Sequence, residues 1–355
     1  MWRKLEAYGA AFAPWVSGTT LPADETIGRD RLAPLVDVTE RYGTGPALAW
    51  LLGETRLTAE TAAYARLTLL YGRERAARRR DDLHALAAAM NAVGVSPLLL
   101  KGSAAQIGGI YPDPGFRLMA DIDLLVPEAQ YLACEAAAAR IGFDRVKPIE
   151  HHHANQQYHE ARSALLELHR RVTRWHGRSN LPAAMLLDSA TPAEIDGARI
   201  LLPDWTLHAV LVIAHSFVWD ECCDKAHVPL KTMLDLAALR VAGVVSWQGV
   251  RERLEAMGER RALLHAEALF AHLFGVPLTG APIGWARRRA ILLWYRLGAD
   301  HPLVNRLGLA SSAIRRRGLF AIREPARLRK LLTPGFYRRL AASMRRAFDR
   351  DTPLT

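Results

Sequence analysis

Residues 119–126, Met119-Ala120-Asp121-Ile122-Asp123-Leu124-Leu125-Val126, alternate two aspartates with apolar side chains. A period of two predicts a β-strand that carries both carboxylates on one face, ~6–7 Å apart along the chain. Burying one unpaired carboxylate costs several kcal/mol, and a second adds repulsion. Leu118, Met119, Leu124, Leu125 and Val126 argue against a wholly exposed strand, so something positive must stand beside the pair. A divalent cation meets that need, since Mg²⁺ is normally held by one or two carboxylates together with substrate phosphates. Taken alone, Asp-x-Asp also fits a strand edge with both acids in water.

Upstream, Val95-Ser96-Pro97-Leu98-Leu99-Leu100 reads as a buried strand that ends at Lys101-Gly102-Ser103, with a helix opening at Ala104. Backbone N–H groups at such a helix start are placed to hold phosphate. Gly102 permits close approach, Ser103 adds a hydroxyl and Lys101 a point charge. A plain tight turn is the other reading. A turn-rich stretch, residues 108–115, separates this segment from the aspartates. Downstream, Pro127 ends the strand and residues 128–141 form an alanine-rich helix. Short strands follow from Gly142-Phe143, at 156–159 and at 164–169, the last two joined as a hairpin about Ala161-Arg162-Ser163. In Ala164-Leu165-Leu166-Glu167-Leu168-His169 a third carboxylate, Glu167, stands in an apolar strand, and His169 shares its face.

Helices surround this region. Residues 59–93 place Leu67, Leu70, Leu83, Leu86 and Met90 at helical spacing, with a basic cluster at 73–80 read as a solvated face and Gly94 as the C-cap. Residues 200–202 read as a brief strand, and Asp204 as the N-cap of a helix to about Trp219. Residues 229–239 and 247–274 are helical again. The expected class is α+β: a small mixed sheet between about 95 and 170 with large helical additions on both sides. The expected division is a helical region at 1–93, a catalytic core at 94–200, a second helical region at 201–280 and a basic amphipathic tail at 281–355.

The order strand, Gly-Ser, helix, then Asp-x-Asp, then a lone acid on a later strand resembles the superfamily of DNA polymerase β and kanamycin nucleotidyltransferase. More closely, residues 99–102 (Leu-Leu-Lys-Gly), 111–117 (Tyr-Pro-Asp-Pro-Gly-Phe-Arg) and 121–126 look like the bacterial uncharacterised nucleotidyltransferase family. Glu167-Leu168-His169 fits that family's later strand, and His215 with Lys231 and Asp235 falls in a similar helical segment. The resemblance covers about residues 60–275. It implies transfer of a nucleoside monophosphate from an NTP such as ATP, with release of pyrophosphate. The acceptor would be a hydroxyl or similar group on a small molecule, peptide or protein. Asp121 and Asp123 would bind two Mg²⁺ (or Mn²⁺) ions, with Glu167 as a further ligand and candidate base. Gly102 and Ser103 would hold the β- and γ-phosphates, Lys101 and Arg117 would neutralise triphosphate charge, and His169 would touch substrate or phosphate.

Composition sets the remaining bounds. Half of the 355 residues are apolar and 23% are charged, as in globular rather than disordered chains. Cys134, Cys222 and Cys223 make neither a disulfide framework nor a zinc spacing, which predicts buried thiols and a cytoplasmic protein. The apolar run 207–219 is too short to span a bilayer, and the N-terminus has no export-signal pattern. Net charge is +11, but residues 281–355 carry +13 and the rest −2. A helix pair packed on the body with a solvated basic face is the plain expectation for that tail. Contact with an anionic membrane surface or an acidic partner is the other; nucleic acid is not expected. His151-His152-His153 reads as a polar loop with acceptor contact as the rival, and His215 as a packed core histidine. Two other functions fit Asp-x-Asp: a metal-dependent nucleotide-sugar glycosyltransferase, and a catalytically degenerate transferase-like scaffold.

Overall fold

The computed structural model describes residues 1–19, 29–53, 57–146, 154–172, 181–301 and 303–308. Three helices, α1 (Trp2–Ser17), α2 (Arg29–Tyr42) and α3 (Gly45–Leu52), precede the long α4 (Ala59–Asn91). The strand expected at residues 95–100 is reduced to β1 (Leu98–Leu99), because the Val95 N–H is taken by the Met90 carbonyl and Pro97 has no N–H to offer a ladder. Helix α5 (Lys101–Ile107) follows without a break, then β2 (Asp121–Leu125), α6 (Tyr131–Arg140) and β3 (Asp144–Arg145). The expected hairpin is β4 (Ala154–His159) with β5 (Ala164–His169), antiparallel with His159 opposite Ala164.

Beyond it come α7 (Ala183–Asp188), β6 (Thr191–Ile195) and β7 (Ala198–Leu202). β6 was not expected, since Thr191-Pro192-Ala193-Glu194-Ile195 lacks apolar alternation; it is a mostly exposed edge strand, where Pro192 is tolerated. Its turn has a legible signal all the same: Asp196 and Gly197 both take positive φ (48° and 86°), the hairpin chemistry of Asp-Gly. The sheet therefore extends to Leu202, with strand order β3-β4-β5-β2-β1-β7-β6. β2 pairs parallel with β5 and antiparallel with β1.

The C-terminal described part is helical. α8 (Trp205–Ala214) is capped by the Asp204 carboxylate, which accepts from the Leu207 N–H at 2.9 Å. It gives way to a π turn at His215–Trp219, and α9 (Cys222–Lys225) and α10 (Leu230–Ala242) follow. The continuous helix expected over 247–274 is two, α11 (Trp247–Ala256) and α12 (Arg260–Phe274), broken at Gly258 with φ 75°. α13 is Trp285–Asp300. Among the described residues no helix is long and apolar enough to cross a membrane. The three thiols are buried and free.

Two apolar layers flank the sheet. Ile122, Leu124, Leu166 and Leu168 pack with Leu83, Leu86 and Met90 of α4 and Cys134 and Ala138 of α6. On the opposite face Leu98, Leu100 and Leu125 pack with Leu186 of α7 and Leu207 and Leu211 of α8. A larger cluster unites α1, α3, α8, α10 and α12. The period-2 rule then puts Asp121 and Asp123 on the face of Leu125, away from α4. The resulting architecture is α+β, a mixed sheet embedded in helices.

The basic run of α4 presents Arg73, Arg78 and Arg80 to solvent, as expected, but not Arg79. Arg79 is buried, bonding Asp82 at 2.7 Å and the Ser163 carbonyl at 2.9 Å, while Arg162 reaches Asp82 at 3.1 Å. Arg73 forks onto Asp113 and Arg80 meets Asp196. These cations tie α4 to the turn before β2, to the β4–β5 hairpin and to the β6–β7 turn. Gly72 and Gly115 let two backbones meet there: a Cβ on Gly72 would lie 2.4 Å from the Gly115 oxygen.

Candidate active site

Register builds the acidic centre. In the parallel β2–β5 ladder Asp123 stands opposite Glu167, and Leu125 opposite His169. Asp121 lies two residues before Asp123, on the same face and opposite Leu165. Glu167 is fixed from the other side by Gln156 of β4, whose amide donates to its Oε1 at 2.7 Å. His169 Nε2 lies 2.9 Å from Asp123 Oδ1 and 3.7 Å from Glu167 Oε2.

Lys101 closes the group. It sits where β1 turns into α5, in a positive-φ conformation (48°). Its ammonium is 2.7 Å from Asp123 Oδ1 and 3.8 Å from Glu167 Oε2. Burial alone would raise the Asp123 pKa, but Lys101 and the His169 hydrogen bond outweigh it and hold this carboxyl below the usual range. Asp121 moves the other way: burial first, then the Asp123 charge, raises it, and Lys101 offsets only part. Lys101 would lose its proton more readily through burial, yet Asp123 and Glu167 keep it firmly protonated.

One ligand atom each from Asp123, Glu167 and His169 lie within 4.8 Å of one another. Two hard carboxylate oxygens with one imidazole nitrogen form a set a divalent cation can use. The Lys101 ammonium between the two acids marks a position where positive charge is already accepted. The expected trio of Asp121, Asp123 and Glu167 is thus gathered on one sheet face, but the tight group takes His169 in place of Asp121. His169, expected at substrate, is here engaged with Asp123.

The phosphate-side residues are arranged differently from the expectation. Gly102 and Ser103 are buried, and the Ser103 hydroxyl faces Met119 Sδ at 3.9 Å in the interior. A phosphate contact by that hydroxyl would require the side chain to swing out. Arg117 is committed too: Nε and Nη2 bond the Asp235 carboxylate at 3.0 and 3.3 Å, and Nη1 donates to the Leu118 carbonyl at 2.7 Å. Tyr111 donates to the same Asp235 oxygen at 2.8 Å. Arg117 therefore reaches the site as a braced charge whose fork is spent within the protein, not as a free clamp.

Further residues stand nearby that the motifs did not assign. His215 is not core: its side chain is 27% exposed and its Nδ1 lies 3.0 Å from Asp220 Oδ2 across the π turn. Burial raises and His215 lowers the Asp220 carboxyl, which ends below its ordinary range with a further contribution from Lys101. Lys231, one turn before Asp235 on α10, is partly buried beside Gly43, where an added Cβ would meet its Nζ at 3.1 Å. Gln156 was findable from the hairpin turn, which fixes its register against Glu167. The π turn that aims His215 at Asp220 has no comparable signature. His151, His152 and His153, and tail residues 309–355, lie outside the described residues.

No curated protein matches the chain. A solved structure, that of the antibiotic-resistance factor ANT(2'')-Ia, is similar at 16% identity with a TM-score of 0.37, over 52% of this chain and 94% of that one. The sequence model of the uncharacterised nucleotidyltransferases matches residues 34–275, which include every site residue above. By that match, the chain belongs to the uncharacterised nucleotidyltransferase family.

Proposed function

We propose that this protein transfers a nucleoside monophosphate from an NTP to a hydroxyl or similar acceptor on a small molecule, peptide or protein. The observation that carries this reading is the cross-strand pair of Asp123 and Glu167, with a cation between them and Asp121 on the same face. In the transfer, an acceptor oxygen forms a bond to the α-phosphorus, the bond to the β-phosphate bridge breaks, and pyrophosphate leaves. Asp121, Asp123 and Glu167 would hold Mg²⁺ or Mn²⁺. Bound there, two such ions would neutralise the triphosphate and favour the ionised acceptor oxygen. His169 orients Asp123 by its hydrogen bond, and Gln156 orients Glu167. Glu167 is the candidate base for the acceptor proton. With those ions bound, Lys101 would be free to serve the phosphates as a point charge.

Nothing in this arrangement favours a nucleotide-sugar donor: helices, with one two-residue strand, fill the described chain before β2. The test is incubation of the full chain with Mg²⁺, each [α-³²P]NTP in turn, and cell extract as the acceptor source. Label should pass to a metabolite, peptide or protein, and the Asp121→Ala, Asp123→Ala double variant should transfer none. Equal labelling by that variant, or no NTP bound by the wild-type chain, sinks the reading.

A further inference from the structure

One cation near the acidic centre, Lys231, is given no role by the sequence motifs. Asp235 is a single carboxylate already shared by the Arg117 guanidinium and the Tyr111 hydroxyl. Lys231 stands four residues earlier on α10, hence on the same helix face. It adds a second positive charge beside a carboxylate that Arg117 already occupies. Among the described residues its ammonium makes no hydrogen bond and no carboxylate lies within 4.0 Å of it. Burial, then the neighbouring Arg117, makes the charged form of Lys231 less favourable, with Asp235 and Asp121 giving partial relief. A semi-buried surplus cation is a standing cost to the fold unless an anion comes to it. Arg117 also bonds the Leu118 carbonyl, three residues before Asp121, and Asp121 favours the charged form of both Arg117 and Lys231, so this corner borders the acidic centre.

We infer that Lys231, supported by the Arg117–Asp235–Tyr111 cluster, is the ammonium that grips the β- and γ-phosphates and then the departing pyrophosphate. The inference rests on the nucleotidyl-transfer reading and names a subsite within it. Arg117 has spent its fork on Asp235 and Leu118 and contributes charge at a distance. Lys231 keeps three donors to offer. The ligand class is an oligophosphate; base and sugar are no part of the proposed contact.

Mg²⁺-tripolyphosphate and AMP are the probes, titrated calorimetrically into the full-length wild type, Lys231→Met and Arg253→Met. The last removes one exposed charge from α11 and controls for general basicity. Losing one desolvated charge–phosphate contact should weaken tripolyphosphate binding by about 10- to 100-fold in Lys231→Met. AMP affinity should stay within about twofold and Arg253→Met should bind like wild type. Thermal unfolding without ligand gives a second readout: Lys231→Met should melt no lower than wild type, because the lysine is a burden to the empty fold. Unchanged tripolyphosphate affinity, an equal loss for AMP, an equal loss in Arg253→Met, or a lower melting temperature each overturns the subsite. If the wild-type chain also binds no NTP, the broader reading falls with it; normal NTP labelling by Lys231→Met with unaltered affinity removes the subsite alone.

Discussion

Asp123 of β2 and Glu167 of β5 are direct partners across a parallel ladder, and the ammonium of Lys101 lies 2.7 Å from one and 3.8 Å from the other. Two acids 44 positions apart in the chain thereby face a shared point. Their neutrality depends on a side chain from a third element, and that dependence can be tested.

Lys101→Met should remove the charge that compensates this pair. Breaking a buried ion pair from one side typically costs 3–5 kcal/mol, and the partial exposure of Lys101 reduces the expectation to about 2–3 kcal/mol. Thermal unfolding in EDTA should show that loss. Added Mg²⁺ should raise the melting temperature of the variant more than that of wild type, since a divalent ion can take over the vacated role. An equal response in both proteins would separate the acids from metal binding.

Asp121→Asn should divide stability from activity. Burial and the Asp123 charge raise the Asp121 pKa, so its ionised form is the less favoured one in the folded state. With the folded value above the unfolded one, this group's contribution to stability falls as pH rises through that interval. Removing the charge should therefore leave stability at pH 7 unchanged or improved. Nucleotidyl transfer should fall by about 100-fold or more in the same variant, since a ligand of the reacting centre is lost. Denaturant titration and the label-transfer assay read the two effects.

His208 predicts a pH slope. It is fully buried on α8, and burial lowers its pKa to about 4 from an ordinary 6.5, against weaker opposing effects of Asp235 and the Lys101 backbone. Unfolding therefore takes up a proton between those values, so stability is complete above pH 6.5 and declines as pH falls towards 4. The full effect is up to ~3 kcal/mol at about 1.4 kcal/mol per unit. In urea titrations from pH 4 to 7.5, His208→Gln should show a shallower acid decline than wild type; parallel curves would contradict this.

Gly72→Ala reverses a general rule. Alanine in a helix interior is ordinarily favoured over glycine by about 1 kcal/mol. Here the new Cβ would fall 2.4 Å from the Gly115 carbonyl oxygen and 3.0 Å from the Pro46 side chain, and backbone has little room to give. Overpacking of this kind costs typically 1–3 kcal/mol, so a net loss in Tm is expected. Transfer activity should fall as well, because the turn at residues 111–117 carries Tyr111 and Arg117 to Asp235.

Local pattern made the acidic strands legible. Alternation about Asp121 and Asp123, and about Glu167 and His169, gives both strands and both faces, since a side-chain period of two leaves no other solution between apolar neighbours. The cap at Asp204 and the hairpin before Ala164 were legible for the same reason: the chemistry lies within a few residues. β6 escaped because an exposed edge strand needs no apolar face. The buried role of Arg79 escaped because its partners, Asp82 and Ser163, come from a helix turn and a distant hairpin.

By itself, then, the chain determined which carboxylates share a strand face and that helices surround those strands. Tertiary structure alone decided the pairings between faces: Glu167 opposite Asp123, His169 hydrogen-bonded to Asp123, and Arg117 spent on Asp235. It also left Lys231 with an unmet charge. The physical reason is that periodicity acts over neighbours in the chain, whereas charge compensation acts across a few ångströms of space. Which cation meets which acid follows from strand register and helix packing, and those are settled only when the whole chain has folded.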